Sequence, residues 1–517
     1  MWESDIPFLF QLPSAWLVVV LSELLDMPSI GMLDTAVSSK KHRSQFLSSL
    51  QAMRSTSIDK VCGGHLKRCH YMLASSQWMG CWWRWLSIRQ IHIENNVLRS
   101  DAVRSDLIIP SMQKIATDSF ENDDFYYLVR NCPSLRSVHI FDFSENMSHD
   151  GLRFLTDLRQ SLEDISLNWS NSEYLFVEEE REALNAVVID ILRQCTHLNK
   201  VSLAGFILNI VDLEKLHPYS HLLNDLHFEF EEEMMTSAYG QAFSILFSNC
   251  NNLRELHYDG NYDEQDSLAV STLHQCRLLE NLKLLSLSLS KQGQLGNEVE
   301  FFTRIGRSCI HLRKLHLSCI DLTEANLRGI AAMEALKDLA LLDCGGLTVS
   351  SVAALAVMKL VKLCIDNPQV YGGLPVANMQ SIVGSFVGSN ISQTLESFSV
   401  KILDHTIPPD DIQVATALAS CHQLKSLAVR NLCRATGCVF GRNGLAGLKA
   451  MATGCPLLAD ITLDLTVSGV HYVGTHFANL MKCTVTTYNS KERVSFVPAG
   501  TPSVKELQTL YPAVEWV

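Results

Sequence analysis

Long apolar runs are missing from this chain. No stretch of about 18 apolar residues occurs, the length a membrane-crossing helix needs. The best candidate, Ala15 to Leu25, is interrupted by Ser22 and Glu23, so no transmembrane helix is expected. Glycine and proline are scarce, 26 and 14 among 517 residues. That excludes collagen-like and low-complexity disordered chains. Basic charge is in deficit, with 42 Lys and Arg against 55 Asp and Glu and a net charge of −13. Bulk attraction to nucleic acid or an anionic membrane is disfavoured, because the mean field has the wrong sign. Neither is expected as a partner.

The start of the chain carries Glu3 and Asp5 rather than the basic residues of an export signal. Its 16 cysteines form no compact disulfide framework at this length. The expectation is a reducing intracellular compartment, cytoplasmic or nuclear. Three glycosylation triplets, at Asn146, Asn168 and Asn390, are short enough to arise by chance.

Catalytic signatures are absent as well. There is no Walker A, HExxH or GxSxG motif, and no GxGxxG following a strand. Cys62, His65, Cys69 and His70 are ligand types that zinc takes. Their spacing matches no common finger, and a segment joining two modules is the plainer reading. Trp78, Trp82 and Trp85 share helical spacing beside Trp83, as at a packing joint. No catalytic, cofactor or metal site is expected.

What the chain has in quantity is a repeat. Apolar residues make up 47% and charged residues 19%, enough for a large core. Cys132, Cys195, Cys250, Cys276, Cys309, Cys421 and Cys455 each stand three residues before a Leu. After that Leu the chain reads L-x-x-L-x-L with other apolar residues allowed, as in Cys132-PSLRSVHI and Cys309-IHLRKLHL. The same frame recurs without Cys at Leu162, Leu223, Leu336, Leu360 and Leu395. The twelve anchors are leucines 135, 162, 198, 223, 253, 279, 312, 336, 360, 395, 424 and 458, spaced 24 to 36 residues apart. That period belongs to leucine-rich repeats. Fourth and sixth positions point inward on a strand, and the residues between them point outward. Upstream, Leu184, Val187, Val188, Ile191 and Leu192 form one apolar helix face.

A repeat of helix, turn and strand cannot bury its own apolar face, so neighbours must stack. The expected fold is an α/β leucine-rich-repeat solenoid, a horseshoe with a parallel concave sheet and convex helices, plus a short all-α N-terminal module. The expected divisions are 1–50 (helical module), 51–130 (linker and cap), 131–480 (about twelve repeats) and 481–517 (a capping half-repeat with a helix from Val504 and a last strand after Ala513). The Cys at each corner is read as a small buried hydrophobe with a weak S–H donor, inert in apolar surroundings.

The Cys-x-x-Leu frame resembles the cysteine-containing repeats of F-box proteins over about residues 130 to 465. Residues 12–47 are similar to an F-box: Leu12-Pro13, a helix ending in Leu24-Leu25, then Leu33-Asp34 and Val37. The resemblance implies a non-catalytic substrate receptor of an SCF-type cullin–RING ubiquitin ligase. It would place Leu12, Pro13, Val19, Leu24, Leu25, Ile30, Leu33 and Val37 at the interface with the ligase adaptor subunit. Ser14, Ala15 and Ser38 depart from the family's pattern. A helical cap of the array would give much the same apolar string. An interaction scaffold or sensor without a link to ubiquitination is the alternative.

A target protein is expected on the concave face. His139, His227, His257 and His316 occupy fifth positions, one outward column. In the fourth and fifth repeats the outward residues are Asp225, His227, Glu229 and Glu255, His257, Asp259. These form an expected acidic patch for a basic partner segment, flanked by Lys200, Lys283 and Lys314.

Overall fold

A computed structural model describes residues 90–93, 113–117 and most of 126–516. The main stretches left out within that span are 141–148, 169–177, 229–236, 260–271, 286–297, 368–378, 403–409, 432–439 and 486–503. The adaptor-type residues Leu12 to Val37, the Cys62 to His70 group and the tryptophan cluster lie outside the described residues. The chain divides into two compact units, Met1–Phe228 and Glu229–Val517. The division falls inside the stretch read from sequence as one array.

In the first unit, six parallel strands follow in sequence order: β1 (Gln90–Ile93), β2 (Lys114–Thr117), β3 (Ser137–Ile140), β4 (Asp164–Asn168), β5 (Lys200–Phe206) and β6 (Leu223–Phe228). The second unit carries ten: β7 (Glu255–Asp259), β8 (Asn281–Leu285), β9 (Lys314–Ser318), β10 (Asp338–Leu342), β11 (Lys362–Asn367), β12 (Ser397–Ile402), β13 (Ser426–Asn431), β14 (Asp460–Leu463), β15 (Lys482–Val485) and β16 (Glu515–Trp516). Each pairs in parallel with the next. Every one of the twelve anchors has its strand. The units are runs of α/β leucine-rich repeats.

The alternation works as the frame requires. On β9, Leu315 and Leu317 are buried while Lys314, His316 and Ser318 face outward. The helices bring apolar faces to the same core. Leu184, Val187, Val188, Ile191 and Leu192 of the helix Glu178–Gln194 are all buried. Phe243 and Phe247, on the helix Ser237–Asn249, pack edge-on against Tyr258 of β7, with ring centroids 5.9 and 6.4 Å apart.

The Cys-x-x-Leu spacing has a backbone cause. At all seven sites the anchor Leu N–H donates to the carbonyl of the Cys three residues earlier, at 2.9 to 3.3 Å. This is a β-turn closing the helix-to-strand corner. The thiols of Cys195, Cys276, Cys309 and Cys455 face the preceding repeat. Cys276 Sγ donates to the Phe247 carbonyl at 3.3 Å, and Cys455 Sγ to that of Leu418 at 3.3 Å. Each of these helix-end carbonyls also accepts the N–H of its own corner cysteine, Cys250 or Cys421, and the thiol adds a second donor. Burial pushes the Cys250, Cys309 and Cys455 thiols up to about 12, so they stay protonated and unreactive.

The ends hold one agreement and one omission. Ile91 lies on β1, within the segment assigned to linker and cap. The helix Val504–Leu510 and β16 follow the expected final half-repeat, burying Leu507 and Val514. Strand β2 falls in the segment assigned to linker and cap. Its anchor position holds Met112 and its sixth position Thr117, so the leucine frame does not show there. Among the described residues, no helix is long and apolar enough to cross a membrane.

Candidate functional site

The sheet in each unit presents its third, fifth and seventh repeat positions to solvent as rows running across the strands. Burial of alternate leucines fixes this orientation, since a slip of one residue would turn every apolar side chain outward.

In the first unit the third-position row runs Ser137, Asp164, Lys200, and the fifth-position row runs His139, Ser166, Ser202, Asp225. The charges in these rows pair with one another, although Asp164 Oδ1 is enclosed without a hydrogen-bond partner. Asp164 Oδ2 accepts from Ser137 Oγ at 3.1 Å and meets His139 Nε2 at 3.0 Å. Lys200 Nζ lies 3.7 Å from Asp225 Oδ2. Burial alone would push the Asp164 carboxyl up. The His139 hydrogen bond and charge, the Ser137 hydroxyl and the nearby Lys200 together bring it below its ordinary value. Ser137 and His139 both bond to the carboxylate, which leaves Ser137 without His139 as a base. This is a positioning network rather than an activated nucleophile.

Sequence reasoning expected His227 in line with His139. The strand register differs. A shift between Val201 and Ser202 sets Ser202 opposite Asp225, and Ala204 opposite His227. The extra residue is Asn224 on β6, and a second shift leaves Gly205 extra on β5. A bulge of this kind moves every following residue along the partner strand. His227 therefore stands two residues beyond the His139 row, and Asp225 takes the fifth place.

In the second unit the rows are regular. The third-position row begins Glu255, Asn281, Lys314, Asp338, Lys362; the fifth begins His257, Lys283, His316, Ala340, Cys364. His257 and His316 thus share a row, as expected, with Lys283 between them. Glu255 Oε1 accepts from Asn281 Nδ2 at 2.6 Å. The His316 Nε2 atom is enclosed and has no hydrogen-bond partner. Burial, followed by repulsion from Lys283, holds its pKa below the ordinary value, with Asp338 acting the other way.

The expected acidic patch is thereby redrawn. Asp225 is engaged by Lys200, Glu255 by Asn281, and a lysine occupies the middle of the histidine row. Glu229 lies outside the described residues, and only the backbone position of Asp259 is described. Asp225 and His227 belong to the first unit, Glu255 and His257 to the second. Further along, Lys401 Nζ holds Asp366 Oδ2 at 3.0 Å. Burial, followed by repulsion from Asp366, pushes the Asp343 carboxyl up, with Lys401 acting the other way. Among the described residues, no three His, Cys, Asp or Glu side chains are placed to hold a metal.

Reading from sequence missed the Asp164 network. The signal was present as an acid at the third position of one repeat, diagonal to the fifth-position His139 of the repeat before it. Diagonal neighbours on a sheet lie within side-chain reach.

No family model matches the chain, and no curated protein matches it. Among solved structures, the crystal structure of the Rad7 and Elc1 complex in yeast is similar at 14% identity and a TM-score of 0.41, over 96% of this chain and 98% of that one. The TLR13–ssRNA13 complex is similar at 12% identity and a TM-score of 0.40, over 78% of this chain and 57% of that one. Both scores fall below 0.5, and neither likeness carries a statement about this chain.

Proposed function

We propose that this chain is a non-catalytic protein-interaction protein that holds a target protein on the outward face of its repeat sheets. The observation that carries the proposal is the face itself: rows of charged and polar side chains across successive parallel strands, with the apolar positions turned inward. Repeat proteins bind macromolecules on extended surfaces of this kind. No nucleophile with an adjacent base stands on the described face, so catalysis has no foothold in this reading.

We further propose that residues 12–47 join the chain to the adaptor of an SCF-type ubiquitin ligase, making it a substrate receptor. Support comes from sequence order alone: a Leu12-Pro13 helical pattern ahead of cysteine-type repeats. The departures at Ser14, Ala15 and Ser38 favour the second reading, an interaction scaffold or sensor without a link to ubiquitination.

Co-purification of the full-length chain with the adaptor separates the two. The wild type should retain the adaptor. Leu24→Asp and Leu33→Asp should each release it with an unchanged melting temperature, since a charge in an apolar interface costs several kcal/mol. A wild type that never retains the adaptor, with variants that melt earlier, would make the segment a cap and favour the scaffold.

A further inference from the structure

We propose that Lys283 and Lys314, beside His316 on β8 and β9 of the second unit, form a carboxylate-binding shelf that docks an acidic segment of a protein partner. The inference rests on the outward face being the target-binding surface. It names the chemistry that one part of that face recognises.

Lys283 and His316 are register partners in the fifth-position row. Lys314 is His316's neighbour on the same side of β9, two residues before it. Lys283 and Lys314 are diagonal neighbours, with Cα atoms roughly 8 Å apart from strand spacing and rise. Two flexible ammonium groups at that separation reach one carboxylate. Neither lysine has an ion pair among the described residues, whereas Lys401 on the same sheet is held by Asp366. His316 Nε2 is enclosed and has no hydrogen-bond partner, and it adjoins this pair.

The surrounding charges favour an acidic occupant. Asp338, on β10, is the register partner of Lys314, and its charge acts on His316. Glu255 on β7 is bonded to Asn281. Among the described residues, neither Asp338 nor Glu255 forms an ion pair with Lys283 or Lys314, so both ammonium groups can take a further carboxylate. A basic segment would meet both lysines as like charges. An acidic one supplies the acceptors that both lysines lack.

The test uses the full chain and a fluorescein-labelled decaglutamate peptide, read by fluorescence anisotropy. Wild type should bind it more weakly as salt rises, since screening acts within about 8 Å at physiological ionic strength. Lys283→Gln with Lys314→Gln should weaken binding roughly tenfold at an unchanged melting temperature. Lys362→Gln with Lys482→Gln, on the same face but outside the shelf, should leave it within about twofold. The shelf is overturned if decaglutamate does not bind, if both double variants lose binding equally, or if a decathymidine oligonucleotide displaces the peptide. Binding lost only with Lys362 and Lys482 would also overturn it while leaving the face a protein-binding surface. Adaptor retention is read separately and does not bear on this outcome.

Discussion

The outward faces of β3–β6 and β7–β10 are built on the same repeat, yet their charges are arranged differently. In the first unit His139, Asp164 and Ser137 bond to one another and Lys200 reaches Asp225. In the second unit, Lys283, Lys314 and His316 stand together without ion pairs or hydrogen bonds to one another. The repeat fixes where outward side chains sit. It leaves open whether those side chains satisfy each other. A face that satisfies itself contributes to stability, and one that does not is available to a partner.

Four measurements sharpen this comparison. The largest effect belongs beneath the faces, where the two units should behave alike. Leu317→Ala, at a fully buried position of β9, should cost about 2 to 5 kcal/mol through lost transfer energy and a residual cavity. Leu167→Ala, buried to the same degree on β4, should cost a similar amount. Denaturant unfolding of both variants checks it, and a cost under about 1 kcal/mol at either position would contradict the core assignment.

The faces themselves should differ. Asp164→Asn should destabilise by about 1 to 2 kcal/mol, whereas Lys283→Gln should be near neutral. The sign with pH follows from the lowered Asp164 pKa. Its contribution is fully present above the ordinary carboxylate value of 3.8 and is lost as pH falls through the lower folded-state value. Unfolding free energies between pH 2 and pH 6 should thus show an acid limb that is reduced in Asp164→Asn. An identical limb in both proteins would remove Asp164 from the account.

A smaller effect is expected at the repeat corners. Cys276→Ala should cost about 1 kcal/mol, through a small void and the loss of one of the two donors to the Phe247 carbonyl. Cys276→Ser keeps a donor in place and should cost less. If serine is the worse replacement, the thiol acts only as an apolar filler.

The smallest effect is electrostatic. His316 should titrate below the ordinary 6.5, chiefly from burial and then from Lys283. Lys283→Gln should move it upward without restoring it fully, as followed by histidine proton NMR. Absence of any movement would separate Lys283 from His316 and weaken the proposed shelf.

Sequence alone determined the repeat. Twelve leucine anchors marked twelve strands, because alternate apolar residues on a strand have one stable way to face. The corner cysteines were legible for the same local reason, since an i to i+3 turn fixes the distance from Cys to Leu. The helix and strand at the C-terminal end could be read from local pattern too. Strand β2 escaped because Met112 and Thr117 break the leucine frame.

Only the tertiary structure decided how the outward residues meet. Two bulge-type shifts between β5 and β6 carried His227 out of the His139 row and put Asp225 in its place. Register between strands depends on every residue in both of them and on the connection between, so a count within one repeat does not reveal it. Ion pairing was equally hidden: the same two letters, Lys and Asp, are bonded at Lys200 and Asp225 but not at Lys314 and Asp338. Distance and rotamer decide that difference, and both are set by packing across repeats far apart in the chain.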